Sequence, residues 1–282
     1  MLKKLLKYDL RSLCRYCVPL LIAMLAGTVL GMVCLPLIVR IADLIPTLAE
    51  EASMLFVFVM MFCVFGIFGA FLLVGLSAGL FQIMICVDFY KSLITDEGYL
   101  TFTLPVKRRD ILFSKLINGI FWSLISVVAA TVSITLIIVS LFLFTDVPWP
   151  SGEGLREFFS LFGLNDLLTF LNGILYVFLS LISGLLLYFT AIFLGSVIAK
   201  KHKLMVSIGC ILGANFIYST VIGIITSVVE FFAIAFGVSL GLGDSPLMFQ
   251  MLFGVLNVIT AMAAVLLFFW LYRMMERKLN LA

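Results

Sequence analysis

Cys14 and Cys17 form a C-x-x-C, the spacing at which two thiolates can share a metal ion or close a redox disulfide. Either use needs partners that the chain does not offer: a second ligand pair is absent, and the only histidine, His202, lies far along the sequence. Cys34, Cys63, Cys86 and Cys210 stand singly in or beside apolar runs, so packing is the simpler role for all six cysteines. No G-x-x-x-x-G-K-(S/T) occurs, and the chain therefore has no P-loop to cradle the phosphates of ATP. No catalytic constellation is visible. No metal site and no bound cofactor are expected, and the chain is not expected to be an enzyme.

A second set of residues is polar without being ionisable. Ser123, Ser126, Ser133 and Ser140, with Ala130 among them, recur at spacings that place them on one face of a helix. Ser207, Asn215, Ser219 and Thr226 make a looser row further on. Such rows can wall a path for a substrate, and Ser123, Ser126, Ser133, Ser140, Asn215 and Ser219 stand as candidates for one. Membrane helices also use small residues and hydroxyls to pack against each other, which is the commoner role. Gly27/Gly31, Gly75/Gly79 and Gly209/Gly213 are G-x-x-x-G pairs. With 21 glycines in so apolar a chain, they say little about dimerisation.

The elements that must position these residues follow from composition. Of 282 residues, 64% are hydrophobic and 12% charged, and the mean hydropathy is +1.27. There is too little polar surface to cover a water-soluble globule, so lipid is the solvent for most of the chain. Charge-free intervals run 16–39, 52–87, 116–145, 167–199, 204–229, 231–243 and 245–272. About 20 apolar residues cross a bilayer as a helix, and about 10–14 do not, so every interval but 231–243 can span. The expected fold is all-α and polytopic, one transmembrane domain over 1–282. Its spans lie near 18–39, 54–86, 113–144, 167–199, 204–228 and 247–272. Helices are required because a span must satisfy its own backbone hydrogen bonds.

The basic residues orient these spans. All 18 Lys and Arg except Arg40 and Arg156 fall in four clusters on one side. These are the N-terminus through Arg15, the Lys91–Lys115 connection, Lys200 to Lys203, and Arg273 to Lys278. By the positive-inside rule that side is cytoplasmic, with both termini inside. Parity keeps the 13-residue interval from crossing. It is expected either as a short re-entrant element turned by Gly237, Gly241 and Gly243 before the last span, or as an apolar loop lying at the interface. Leu2–Cys17 is expected as an amphipathic helix on the inner surface, with Leu2, Leu5, Leu6, Leu10 and Leu13 on its apolar side and the first span entered at Pro19. None of the six spans carries a charge at its middle. That argues against ion-coupled transport and against intramembrane acid–base chemistry, so any work must draw its energy from a partner.

One polar stretch between two long apolar runs is rich enough to be a docking surface: DFYKSLITDEGYLTFTLPVKRRDILFSK, Asp88–Lys115. Thr95 can cap a short helix with Asp96 and Glu97 in its first turn, where the helix dipole favours acids, and Gly98 weakens that helix. Tyr99, Leu100, Phe102 and Leu104 are apolar groups presented between acidic and basic patches, and Pro105 ends the element. Lys107, Arg108 and Arg109 suit the phosphate level as an inner-surface anchor. An aromatic knob with a charged rim is the make-up of a group that inserts into a cleft on a partner.

This run resembles the corresponding segment of permeases of bacterial ATP-binding-cassette (ABC) transporters, the exporter-type (ABC type-2) superfamily. Glu97, Gly98, Tyr99, Leu100, Thr101, Leu104, Pro105, Arg108, Ser114 and Lys115 match the pattern, which covers about a tenth of the chain. The layout of six spans with internal termini agrees. The resemblance implies a multi-pass protein of the bacterial plasma membrane with a cytoplasmic coupling helix between the second and third spans. That helix, over Thr95, Asp96, Glu97, Gly98, Tyr99, Leu100, Thr101, Phe102, Leu104 and Pro105, would dock on a separate ATPase subunit that binds ATP and Mg. It further implies a second permease, copy or paralogue, and no nucleic acid among the partners. The chain departs from the best-studied relatives in lacking a fused nucleotide-binding domain and a large outer domain. The alternative is an ATPase-independent channel or a membrane assembly protein.

Overall fold

The computed structural model describes the backbone of residues 2–44, 50–95, 108–145, 152, 167–199, 202–239 and 246–279. Among them are six long α-helices and no strand: α1 Leu2–Leu44, α2 Glu50–Ile94, α3 Arg108–Phe144, α4 Leu167–Ile198, α5 Lys203–Ser239 and α6 Pro246–Leu279. All six are long and apolar enough to cross a membrane. By length and composition this is a multi-pass membrane protein. Large apolar side chains such as Phe62, Phe216 and Leu266 stand exposed along the helices, a surface that suits hydrocarbon rather than water.

Two expectations about helix ends change. Leu2–Cys17 is not a separate surface helix: α1 runs unbroken for 43 residues through Pro19 and Pro36, roughly 65 Å at 1.5 Å per residue. Proline removes one backbone donor, and membrane helices tolerate that loss because neighbouring groups take it up. The buried face is continuous as well. Leu13 and Cys17 lie on the same buried stripe as Met24, Gly31 and Cys34 further along, while Leu6 and Leu10 are half-buried. At the other end of the chain, α5 does not turn back after Glu230. It continues through Gly237 to Ser239 as one 37-residue helix. A lone charge does not stop a helix, and the next proline, Pro246, is the first residue of α6, where a missing N–H is harmless. Residues 240–245 lie outside the described residues.

The chain divides into two compact units. The first comprises Leu6–Asp88 with Phe121–Trp149; the second comprises Met1–Leu5, Phe89–Ile120 and Pro150–Ala282. In the first unit α1 and α2 meet at small residues. A Cβ on Gly27 would lie 3.0 Å from the Leu73 Cβ and 3.1 Å from the Ala70 carbonyl oxygen, and one on Gly66 would lie 2.6 Å from Cys34 Sγ. The α3 segment joins them at Gly31, where a Cβ would come within 2.7 Å of Ile137 Cδ1. The Gly27/Gly31 pair is thus consumed by packing within the chain, whereas Gly75, Gly79, Gly209 and Gly213 face open space.

In the second unit α4 packs against both α5 and α6. The α4–α5 reversal is tight. His202 takes a left-handed φ of 57°, a conformation that non-glycine residues adopt mainly in turns, and its carbonyl accepts the Val206 N–H at 3.3 Å. Ser207 Oγ donates to the Ile192 carbonyl at 3.2 Å, and Tyr218 Oη donates to Ser183 Oγ at 3.0 Å. Asn257 Nδ2 donates to the Asn172 carbonyl at 3.2 Å, tying α6 to α4.

Candidate functional site

The Asp88–Lys115 stretch consists of two helix ends and the connection between them. Asp96–Pro105 and Lys107 lie outside the described residues, and so does the side chain of Arg108, the first residue of α3. Thr95 follows the last residue of α2, and its hydroxyl donates to the Lys91 carbonyl one turn back, an ordinary use of threonine at a helix end.

Both helix ends are firmly seated in the second unit. Phe89 on α2 stacks on Phe189 of α4, with ring centroids 4.0 Å apart and planes 6° from parallel. Each of these rings is almost completely buried. On α3, Phe113 meets Phe268 of α6 at 5.3 Å, and Ile111, Leu112 and Ser114 are buried. Arg109 sits 5.1 Å over the ring of Tyr272 on α6, a cation–π contact. Arg109 is exposed, so this contact sits at the surface and ties the start of α3 to α6 there. The connection is flanked on both sides by aromatic contacts that lead to α4 and α6.

The serine row on α3 is buried: Ser123, Ser126, Ser133 and Ser140 are each under 6% exposed. Three of its four hydroxyls are engaged in hydrogen bonds to other helices or to their own turn. Ser123 donates to Gln82 Oε1 of α2 at 3.1 Å, and Thr28 of α1 donates to Ser133 Oγ at 2.9 Å. Ser140 bonds back to the Ile137 carbonyl at 2.6 Å. These contacts are the interhelical and intrahelical bonds expected of hydroxyls in a helix interface. Asn215 and Ser219 differ. Both are exposed on α5, and Ser219 donates to the Phe216 carbonyl at 3.1 Å. Of the two candidate rows, one is interior packing and the other is open surface.

Two polar residues that the sequence reading passed over continue the α3 row towards its N-terminus. Asn118 and Trp122 precede Ser126 at intervals of four, on the same face. Asn118 is 1% exposed, and neither its amide nitrogen nor its oxygen has a hydrogen-bond partner; Trp122 Nε1 is buried without one as well. The four-residue interval was there to be read, but a search for ionisable groups in the spans does not register an amide or an indole.

Among the described residues no group of His, Cys, Asp or Glu is placed to hold a metal ion. Cys14 is exposed and Cys17 buried, so the C-x-x-C does not present two thiols on one surface. No family model, curated protein or solved structure matches the chain.

Proposed function

We propose that the chain is the membrane-spanning permease subunit of an ABC transporter, an exporter driven by a separate cytoplasmic ATPase and working with a second permease subunit. The observation that carries this reading is the Glu97–Pro105 segment with its basic flank, joining two helices that are long and apolar enough to span. Its apolar, aromatic centre between acidic and basic patches suits a cleft on a partner protein. The absence of a P-loop from the sequence agrees with ATP being hydrolysed elsewhere.

The mechanism follows from the seating of the two flanks. Closure of the ATPase on ATP pushes the Thr95–Pro105 element. The push reaches α2 and α3 directly and reaches α4 and α6 through Phe89–Phe189, Phe113–Phe268 and Arg109–Tyr272. A change in helix tilt then switches access to a substrate path. That path runs along the exposed polar face of α5, at Asn215 and Ser219, where the second permease would complete it, rather than along the buried α3 serines.

The test is charge reversal of Asp96 and Glu97 to lysine in the full chain, followed by purification in mild detergent from the native membrane. We expect the wild type to bring down an ATPase and the variant to lose it while still inserting. An ATPase retained at wild-type level sinks the docking site. Recovery of the wild-type chain as an intact complex of itself alone favours a partner-independent channel.

A further inference from the structure

Near the end of α1 opposite its basic N-terminus, the first unit carries a concavity of about 400 Å³, lined by Met32, Val33, Pro36, Leu37 and Arg40 of α1 and by Phe144 of α3. The five α1 positions share one helix face and cover roughly 12 Å of axis at 1.5 Å per residue. The volume lies within the range of small-molecule sites, roughly 300–1,000 Å³. The lining is apolar along its length and ends in a single ion. Arg40 Nε donates at 2.9 Å to the carbonyl oxygen of Phe144, the last residue of α3. That carbonyl is one of those an α-helix leaves unpaired at its C-terminus. The bond caps α3 and holds the guanidinium at the mouth of the groove. It uses one of five guanidinium donors, and the fork geometry of the group matches a pair of phosphate oxygens.

Position along the helix supplies the second constraint. Arg40 stands one turn before Leu44, the end of α1. An arginine so placed on a membrane span reaches the headgroup region, and the apolar residues a few turns before it lie at acyl-chain depth. Among the described lining residues Arg40 is the one ionised group, and Asp43, three residues on, is not in the lining. The groove's complement is an amphiphile with an apolar tail and a net negative head.

We infer that this groove binds an anionic phospholipid, with an acyl chain along Met32, Val33, Pro36 and Leu37 and the phosphate on Arg40. The inference needs only that the helices span a membrane and stands apart from the transporter reading. It is tested by titrating the full-length protein, purified in mild detergent, with phosphatidylglycerol or phosphatidylcholine of identical acyl chains, and counting bound lipids by native mass spectrometry. We expect phosphatidylglycerol to bind roughly tenfold more tightly, the scale of one charge-assisted contact. Arg40→Gln should erase the preference, and Arg40→Lys should keep part of it. Val33→Trp, which fills the groove from a half-exposed position, should lower occupancy by both lipids. Arg40→Gln also removes the cap on α3, so helical circular dichroism is recorded for each variant. If that variant unfolds, Val33→Trp, which leaves the Arg40–Phe144 bond in place, decides. Equal binding of the two lipids by the wild type overturns the assignment, as does phosphatidylglycerol binding unchanged by Val33→Trp or a preference surviving in folded Arg40→Gln. Disulfide cross-linking of Leu37→Cys to the same position of a second copy, in a cysteine-free background, also overturns it, because protein and not lipid would then cover the groove.

Discussion

At the residue scale, Asn118 is the side chain whose place in the interior is hardest to justify on stability alone. It is buried with both amide atoms unpaired, and a polar group buried without a partner costs about 1–3 kcal/mol. Asn257 is a contrast on α6: its nitrogen donates to the Asn172 carbonyl and only its oxygen is unpaired. Replacing Asn118 by leucine, of similar size, should therefore stabilise the protein by about 1–3 kcal/mol, read as a higher midpoint of thermal unfolding in detergent. Asn257→Leu breaks a made bond and should be neutral or destabilising. A lower midpoint for Asn118→Leu than for the wild type would show that the amide has partners it needs. The serine row was visible in the sequence as a spacing pattern, but spacing states only that the residues share a face. Whether that face is a wall or a seam depends on what lies opposite, and Gln82 and Thr28 opposite Ser123 and Ser133 make it a seam.

At the element scale, helix identity was legible and helix extent was not. Charge-free intervals located all six helices because placing an ion in hydrocarbon is costly enough to keep charges out of the spans. Charge and proline mark the ends of the apolar intervals but do not end the helices. α1 runs through Arg11, Arg15 and Pro19, and α5 runs through Glu230, since a helix that has left the hydrocarbon can continue in water or at the interface. The tightest joint between elements was not legible at all. A Cβ on Gly195 of α4 would lie 2.5 Å from the Ser207 Cα of α5, a backbone atom that cannot swing aside. Gly195→Ala must then part the α4–α5 reversal and weaken the bond from Ser207 to Ile192. The expected loss is about 1–3 kcal/mol, the usual scale of overpacking. Gly209→Ala and Gly213→Ala meet nothing within 4 Å, and each should instead gain up to about 1 kcal/mol of helix propensity. Thermal unfolding of the three variants side by side checks the order. A Gly195→Ala protein as stable as the other two would mean that α4 and α5 separate freely.

At the scale of the whole molecule, the question is how a force applied at one connection reaches helices distant in sequence. Phe89 and Arg109, on either side of the Thr95–Lys107 connection, contact α4 and α6 through the Phe189 ring and the Tyr272 ring. An offset or stacked aromatic pair adds about 0.5–1.5 kcal/mol beyond the area it buries, and a buried ring resists tilting independently of its neighbour. The Phe89–Phe189 contact is therefore stiff enough to carry displacement and the exposed Arg109–Tyr272 contact adds a second link, while their loss should leave the connection itself intact. If the chain is the permease subunit proposed above, Phe189→Leu combined with Arg109→Gln should retain the ATPase during purification yet uncouple it from α4. The readout is a reporter at an exposed position near the far end of α4, Leu175→Cys, in a background free of other cysteines. ATP trapping should change its rate of maleimide labelling in the otherwise native chain, and that change should vanish in the double variant. Loss of the ATPase from the double variant would instead place the aromatic contacts within the docking surface. An undiminished ATP response would mean that displacement passes along α2 and α3 alone, with α4 moved by some other route.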